Sequence, residues 1–463
     1  MRHGPRDVAR RVLQRVEEGA YATLTLEAEI GRAALSARDR ALCTELVYGV
    51  LRQRLRLDRA LAAYAPRGLE TLDAWMRNVL RLAAYQILFL RTPAYAAVND
   101  AVGAMRRLRG ERMAGFANAL LRRLVQQGEP PLLDDPQDPE GSLSLSLSLP
   151  RWLVRDALRR FGHDEALRFL QSLNRPAPTW LRLNLLRGGR EDALRALQAE
   201  GAIVHPSERL PEAVRVKGGE VFRGQAYRAG WFTAQDLGAQ LVSRLACAGG
   251  LPPGPLLDAC CGIGGKTTHL CMLTANQVDI DGADRSAQKL ALCREHAERL
   301  GCARLRTLEC DLTDSTAPLR PAYALVLLDA PCTGLGVLRR HPEARWRLEP
   351  GRVVELARLQ ARLLEALASR VMPGGVLVYA VCSYLDEEGP AQVAAFLARH
   401  SDFVLDPPPP DEVLSGLLSG NGSGNTAASL YTWPHRDDAD GFYAVRLRRR
   451  HGSSSSSTCS VSQ

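Results

Sequence analysis

The sequence predicts a multidomain protein in which an all-α bundle is followed by a small α+β unit and then by an α/β domain with a doubly wound, mostly parallel sheet. Three observations predict it. Apolar residues recur at helical spacing from Arg6 to about Gln127, with almost no strand-like alternation. A short alternation, TWLRLNLL, then lies between two helix-like stretches. Farther on, short apolar runs alternate with helical segments, the pattern of parallel strands joined by helical crossovers.

The elements follow in order. VARRVLQRVEEG, ALCTELVYGVLRQRLRLDRAL, LRLAAYQILFL and FANALLRRLV carry the helical period, and breaks at Pro66-Arg67-Gly68, Thr92-Pro93 and Gly110 divide them into short helices of one bundle over 1–129. The stretch 130–150, PPLLDDPQDPEGSLSLSLSLP, reads as a linker whose Ser-Leu alternation offers at most an edge strand. Residues 151–231 form the α+β unit, from the helix WLVRDALRRFG through TWLRLNLL to the helix EDALRALQAEG. In the α/β domain, 232–450, strands are expected at PLLDA, ALVLLDA and GVLVYAV, with helices at SAQKLALCREHAERLG and RVVELARLQARLLEALASRV. After a Gly/Ser/Asn-rich stretch, SGNGSGNTAA, FYAVRLRRR reads as a closing strand, and the Ser-rich end, 451–463, as a disordered tail.

A chain of 463 residues, 46% hydrophobic and 24% charged, has the composition of a globular protein of two or three domains. No window holds the roughly 20 apolar residues of a membrane span, and the basic first residues lack the apolar core of a secretory signal, so a cytoplasmic protein without membrane association is expected. The 11 cysteines are odd in number and form no C-x2-C pair, which argues for reduced thiols and against a metal site. The net charge of +9 is concentrated at the front, where residues 1–130 hold 22 Arg, no Lys and 13 acidic residues. Such a one-ended excess fits a polyanion binder, against the alternative of a solvated helical surface. The chain has three lysines, 217, 266 and 289, so a lysine inside a glycine loop is informative.

That loop is Asp258-Ala-Cys260-Cys261-Gly262-Ile263-Gly264-Gly265-Lys266-Thr267, between an apolar strand and a helix. Its glycines permit positive φ, and the helix start offers free N–H groups to a carboxylate or phosphate. A phosphate-binding P-loop requires glycine at 260, where this chain has cysteine. A nucleoside with an amino-acid tail, such as S-adenosylmethionine, fits better, with an acid at the end of the next strand for the ribose hydroxyls. Asp284 is that acid, and Asp311 stands at the end of a third strand. Leu328-Asp329-Ala330-Pro331-Cys332-Thr333-Gly334 and Tyr379-Ala380-Val381-Cys382-Ser383 end two further strands, at the edge where open α/β sheets bind ligands.

Two thiols beside a cofactor loop suggest a reaction. Carbon 5 of cytosine is a poor nucleophile. A thiolate adding to carbon 6 makes carbon 5 enamine-like and able to take a methyl group, after which the carbon-5 proton and the thiol must leave. One cysteine attacks, a second assists release, and an acid near N3 stabilises charge on the ring.

Together these motifs resemble the bacterial 16S rRNA cytosine-C5 methyltransferases of the Sun/Fmu (RsmB) type, over nearly the whole chain. RDVARRVLQRVEEG, ELVYGVLRQRLRLD, LAAYQILFL and FANALLRRL look like a NusB-type RNA-binding domain, RPAPTWLRLN and GWFTAQDLGAQ like the family's linking region, and DADGFYAVRL like its closing strand. The resemblance implies a NusB-like bundle, a linking subdomain and a Rossmann-like class I methyltransferase domain, acting as a monomer on RNA, most specifically 16S rRNA, and not on DNA. It further implies Cys382 as nucleophile, Cys332 as the thiol that assists release, Asp329 as the acid near the base and Lys266 beside it. The loop Cys260, Cys261, Gly262, Ile263, Gly264, Gly265 and Lys266, with Asp284, Asp311 and Asp329, would hold S-adenosylmethionine. DNA cytosine methyltransferases give the nucleophilic role to the Pro-Cys thiol instead. This chain departs from the family where C-A-A-P-G-G-K-T lacks its proline, where Val381 replaces the threonine before the nucleophile, and where Tyr323-Ala324-Leu325 replaces F-D-R. Activity with weakened cofactor affinity is the expectation.

The rival readings are a non-catalytic RNA-binding protein, a methyltransferase of small molecules or proteins on the same fold, and a tRNA rather than rRNA substrate. Arg339-Arg340-His341-Pro342, after the Pro-Cys motif, is read as a loop guiding a flipped cytosine toward the thiols, against an ordinary charged loop.

Overall fold

The computed structural model describes residues 4–132, 135–409, 413–414, 416–418 and 429–451. The chain forms two compact units, one of residues 1–176 with 338–347, the other of 177–337 with 348–463. The stretch SGNGSGNTAA and the tail from 452 onward lie outside the described residues. No helix among those described is long and apolar enough to cross a membrane.

The first unit is helical: α1 (Pro5–Glu17), α2 (Ala22–Ala33), α3 (Ala37–Arg52), α4 (Arg54–Ala62), α5 (Ala74–Phe89), α6 (Ala94–Arg109), α7 (Glu111–Gln127), α8 (Pro139–Leu147) and α9 (Arg151–Ser172). Starts are written in side chains, with Ser36 accepting from Asp39 N–H at α3 and Asp73 from Met76 N–H at α5. Val8, Val12, Leu46, Val47, Leu57, Leu80, Leu121 and Leu124 form the core. Gly49 lets α3 approach α5, since a Cβ there would lie 2.0 Å from the Tyr85 ring. Arg81 is buried with its charge shared between Asp58 and Glu17 at 2.6 Å each, so this arginine and the buried Arg10, paired with Asp100 at 2.6 Å, do not belong to the predicted basic surface.

The linker reading of 130–150 is corrected by α8. Asp138 caps it by accepting from Gly141 N–H, and Pro139 occupies its first position. The Ser-Leu repeat hid this helix because Gly141 and Ser144, spaced three apart, take the buried face, while Leu143, Leu145 and Leu147 stay half-buried. Ser144 then closes the end by donating to the Leu149 carbonyl at 2.6 Å. The helix expected to open the α+β unit, α9, likewise falls in the helical unit, and bends at Gly162, where φ is +70°.

Residues 338–347 return from the second unit's chain to complete this one. They serve helix ends. Glu343 accepts from Ala22 N–H (3.0 Å) at the start of α2, and the Trp346 indole donates to the Leu51 carbonyl (3.0 Å) near the end of α3. Arg345 donates to the Leu173 carbonyl (3.0 Å) and Asn174 (2.7 Å) after α9, and Arg347 to the carbonyls of Val16, Gly19 and Ala20 after α1. Arg339, read from sequence as an RNA guide, is buried, which removes it from contact with a solvent-side nucleotide. Arg347→Ala is expected to cost about 1–2 kcal/mol by leaving those carbonyls without a donor, measurable as a lower urea midpoint by circular dichroism. An unchanged midpoint would mean that water replaces the guanidinium without loss.

The second unit holds two sheets. The smaller combines β1 (Thr179–Leu183), α10 (Arg190–Ala199), β2 (Ile203–Pro206), β3 (Ala213–Lys217), the single turn α11 (Gln225–Arg228) and β4 (Phe232–Ala234), in antiparallel order β2-β3-β1-β4. The larger follows α12 (Leu237–Cys247) with β5 (Leu256–Ala259), α13 (Gly265–Leu273), β6 (Ile280–Asp284), α14 (Ala287–Leu300), β7 (Leu305–Glu309), β8 (Tyr323–Asp329), α15 (Pro350–Ala368), β9 (Val371–Val381), α16 (Pro390–Arg399), β10 (Phe403–Leu405), β11 (Ser429–Thr432) and β12 (Phe442–Arg449). Its order is β10-β12-β9-β8-β5-β6-β7, with β5 to β9 parallel and β12 antiparallel to β9, and with β11 beside β12. The strands expected from PLLDA, ALVLLDA and GVLVYAV are β5, β8 and the end of β9. Their residues are buried on both faces, as runs without alternation imply.

Candidate functional site: a cofactor loop and two thiols at the strand ends

The sheet brings the motif residues to the carboxyl ends of β5, β6, β8 and β9. Strand β5 ends at Ala259, and the chain turns through Cys260 (φ +63°), Gly262 (+57°) and Gly264 (+84°) into α13. Gly264 has no room for a side chain, since a Cβ would lie 2.5 Å from the Cys293 sulfur. The turn holds without the family's proline. Gly264 N–H donates to the Cys261 carbonyl (3.0 Å), Gly262 N–H to Asp284 Oδ2 (3.0 Å), and His296 Nδ1 to the Ile263 carbonyl (3.0 Å).

Beside this turn lies a cavity of about 270 Å³ whose lining includes Cys260, Asp284, Asp311, Asp329, Leu359 and Leu363, together with Arg285 and Lys289. Three carboxylates suit a ligand with cationic centres, the leucines a flat apolar group, and the two cations a carboxylate. Cys261 is not among the lining residues. Its side chain is buried and packs with Leu290 and Cys293. Ile263 is exposed on the turn, and Gly262, Gly264 and Gly265 contribute backbone shape.

Lys266 enters from the first turn of α13, buried, with Nζ 2.6 Å from Asp329 Oδ2 and 5.0 Å from the Phe442 ring centroid. Burial pulls its ammonium down, but the charge and hydrogen bond of Asp329 outweigh that and raise it, so Lys266 is held as a cation. Asp258, fully buried on β5, accepts from Thr267 Oγ1 at 2.6 Å. Burial pushes its carboxyl up to about 7 against the opposing pull of Thr267 and Lys266.

Cys332 and Cys382 follow the adjacent parallel strands β8 and β9, and their sulfurs are 3.2 Å apart. The thiol of Cys332 is pushed well up by its contact with Cys382, then by burial, then by the charges of Cys382 and Glu388. Behind it the chain is locked by a backbone approach that sequence reading missed. Gly336 N–H donates to the Cys382 carbonyl (2.9 Å) and Gly441 N–H to the Gly336 carbonyl (2.8 Å), and a Cβ on Gly336 would stand 1.8 Å from the Gly441 oxygen.

Other supporting residues were also missed. Arg182 of β1 is buried and reaches the start of α13, donating to the Gly265 carbonyl (2.8 Å), Thr268 Oγ1 (2.8 Å) and Gln235 (2.6 Å). Glu212, fully buried, is gripped by Arg244 and lies 3.1 Å from His269 Nε2 on α13. The motif RPAPTWLRLN did contain Arg182, but nothing in a linear pattern shows which carbonyl an arginine will meet.

The comparisons accord with this architecture. The family model described as 16S rRNA methyltransferase RsmB/F matches residues 253–448, the NusB family 3–126, and the RsmF/B-like ferredoxin-like domain 149–221. The ribosomal RNA small subunit methyltransferase B of Xylella fastidiosa is 34% identical over 448 residues, 96% of this chain and 97% of that protein. That of Yersinia enterocolitica is 31% identical over 425 residues, 90% and 92% of the two chains. Among solved structures, PH0851 superposes with a TM-score of 0.82 at 25% identity, over 97% of this chain and all of that one. NSun6 from Pyrococcus horikoshii, solved with SFG, has a TM-score of 0.57 at 21% identity over 65% of this chain and 98% of its own, which bears on the fold. The expected order, a NusB-like helical domain, a ferredoxin-like linking domain and a Rossmann-like methyltransferase domain, is therefore the observed one, and S-adenosylmethionine is its cofactor. The chain belongs to the RsmB/F family of S-adenosylmethionine-dependent 16S rRNA methyltransferases.

Proposed function

We propose that the protein methylates carbon 5 of a cytosine in 16S rRNA through a covalent adduct of Cys382 with carbon 6. The observation that carries this reading is the 3.2 Å separation of Cys332 and Cys382 at the ends of neighbouring strands, beside a cavity suited to the cofactor. In this reading Cys382, which follows the end of β9, is the attacking sulfur and Cys332 the thiol that assists release. As a thiolate, Cys382 adds to carbon 6, and the electron pair of the 5,6 double bond moves toward carbon 5. Negative charge that develops at N3 is met by a proton passed from the Lys266 ammonium through Asp329, which it hydrogen-bonds at 2.6 Å, and that proton returns along the same path when the ring is restored. When bound, S-adenosylmethionine supplies an electrophilic methyl group on its sulfonium, which carbon 5 takes up. The carbon-5 proton then leaves to water and its bonding pair restores the double bond. The pair of the sulfur–carbon bond returns to Cys382, which takes the Cys332 proton. In this reading Cys260, Cys261, Gly262, Ile263, Gly264, Gly265 and Lys266 shape the cofactor site, with Asp284, Asp311 and Asp329 as its acids.

The test is transfer of labelled methyl to unmodified 16S rRNA, to tRNA and to DNA, with the product nucleoside identified by mass spectrometry. 5-Methylcytidine in 16S rRNA is expected. A methyl on another atom would overturn the two-thiol chemistry, and transfer to tRNA alone would overturn the rRNA substrate.

A further inference from the structure

Resting on the two-thiol reading, we infer that Glu388 is the positioning residue that holds Cys332 against Cys382. Glu388 lies six residues beyond Cys382, in the turn between β9 and α16, and is fully buried. Its Oε1 accepts from Thr333 N–H (2.8 Å), and its Oε2 from Thr333 Oγ1 (2.5 Å). The fully buried Gln360 of α15 donates from its amide NH2 to Glu388 Oε1 (3.2 Å) and to the Pro331 carbonyl (2.9 Å). The residues on both sides of Cys332 are therefore clamped by one buried pair. The clamp extends to the other cysteine, because Thr333 Oγ1 lies 3.2 Å from the hydroxyl of Ser383, which follows Cys382.

The chemistry of Glu388 fits this task. Its oxygens face donors and, among the described residues, no arginine or lysine pairs with it, so the charge is answered by hydrogen bonds aimed from the Pro-Cys loop. Its own turn is closed by Tyr379 OH, which donates to the Glu388 carbonyl, and by Glu388 N–H to the Leu385 carbonyl (3.2 Å). A carboxylate held so firmly fixes where the loop can stand. Its negative charge also helps keep the Cys332 proton in place.

The experiment compares the full-length wild type with Glu388→Ala, Glu388→Gln and Cys332→Ala by two readouts. The first needs no RNA. Diamide takes two electrons and two protons from the two thiols as they join in a disulfide, and its rate reports how close the sulfurs are held. At least a tenfold slower rate is expected in Glu388→Ala, and an intermediate one in Glu388→Gln, which keeps an acceptor for Thr333 N–H. The second is the RNA adduct on a denaturing gel. Glu388→Ala is expected to accumulate it as Cys332→Ala does, with the KM for S-adenosylmethionine unchanged. Wild-type disulfide rates in variants with native circular dichroism would overturn the proposal. If Glu388→Ala does not fold, Glu388→Gln decides alone. If Cys332→Ala traps no adduct, the two-thiol reading falls, while the disulfide rates still decide whether Glu388 positions the loop.

Discussion

Cys332→Ala is expected to turn the enzyme into a protein that stays joined to its RNA, and Cys382→Ala into one that neither joins nor methylates it. Both sulfurs stand at strand ends 3.2 Å apart, so either could in principle attack a base. The proposed roles give attack to Cys382 and release to Cys332, whose thiol is pushed up by its contact with Cys382, by burial and by nearby negative charge. Removing Cys382 takes away the nucleophile, and the rate of 5-methylcytidine formation should fall by at least about 10⁴-fold. Removing Cys332 leaves addition and methylation possible and blocks expulsion, so a band of protein–RNA adduct should persist on a denaturing gel. The substitutions remove one small atom each from half-buried positions, and neither should abolish folding. The reverse pattern, with adduct in Cys382→Ala and none in Cys332→Ala, would exchange the two roles.

Much of this site was legible because its parts are local. The turn from Cys260 to Lys266 carries its own glycines, and Asp329 and Cys382 each stand at the end of an apolar run of strand length. Parallel pairing then brings such ends together wherever the crossovers place them. The bundle was legible for a similar reason, since Pro66-Arg67-Gly68, Thr92-Pro93 and Gly110 interrupt the helical period by local backbone constraint or freedom.

What stayed hidden depends on partners far apart in the chain. Glu388 reads as one acid in a run of three, and only folding sets it against Thr333, 55 residues earlier. Arg339-Arg340-His341-Pro342 read as a guide for RNA and Arg347 was passed over, because sequence does not show that an arginine can cap a helix 331 residues away. The Ser-Leu repeat failed differently. Strict alternation is the strand signal, and it concealed a helix whose buried face is made of Gly141 and Ser144. Gly336 and Gly441 carried no turn signature either, since their need for glycine comes from each other's backbone.

Replacing Asp258 by Asn is expected to change how stability depends on pH, more than stability at any single pH. Asp258 has a folded-state pKa of about 7 against 3.8 for the free group. Because the folded form binds this proton more tightly, the stability it contributes is complete below about pH 4 and is lost as pH rises through 7. His269, fully buried against Glu212, works in the other direction. Burial, and then the charge of Arg182, lower it from 6.5 to about 3. Its neutral form suits the folded state, so stability is lost as pH falls below 6.5. Between about pH 4 and 6.5 the two slopes oppose each other at roughly 1.4 kcal/mol per pH unit each. Asp258→Asn keeps an oxygen for the Thr267 hydroxyl but removes the titration, exposing the rise due to His269 alone. Urea unfolding at about pH 4.5 and 6.5 should show the variant gaining about 3 kcal/mol relative to the wild type across that interval. Parallel profiles would mean that Asp258 is ionised throughout the range, with Lys266 outweighing the cost of its burial.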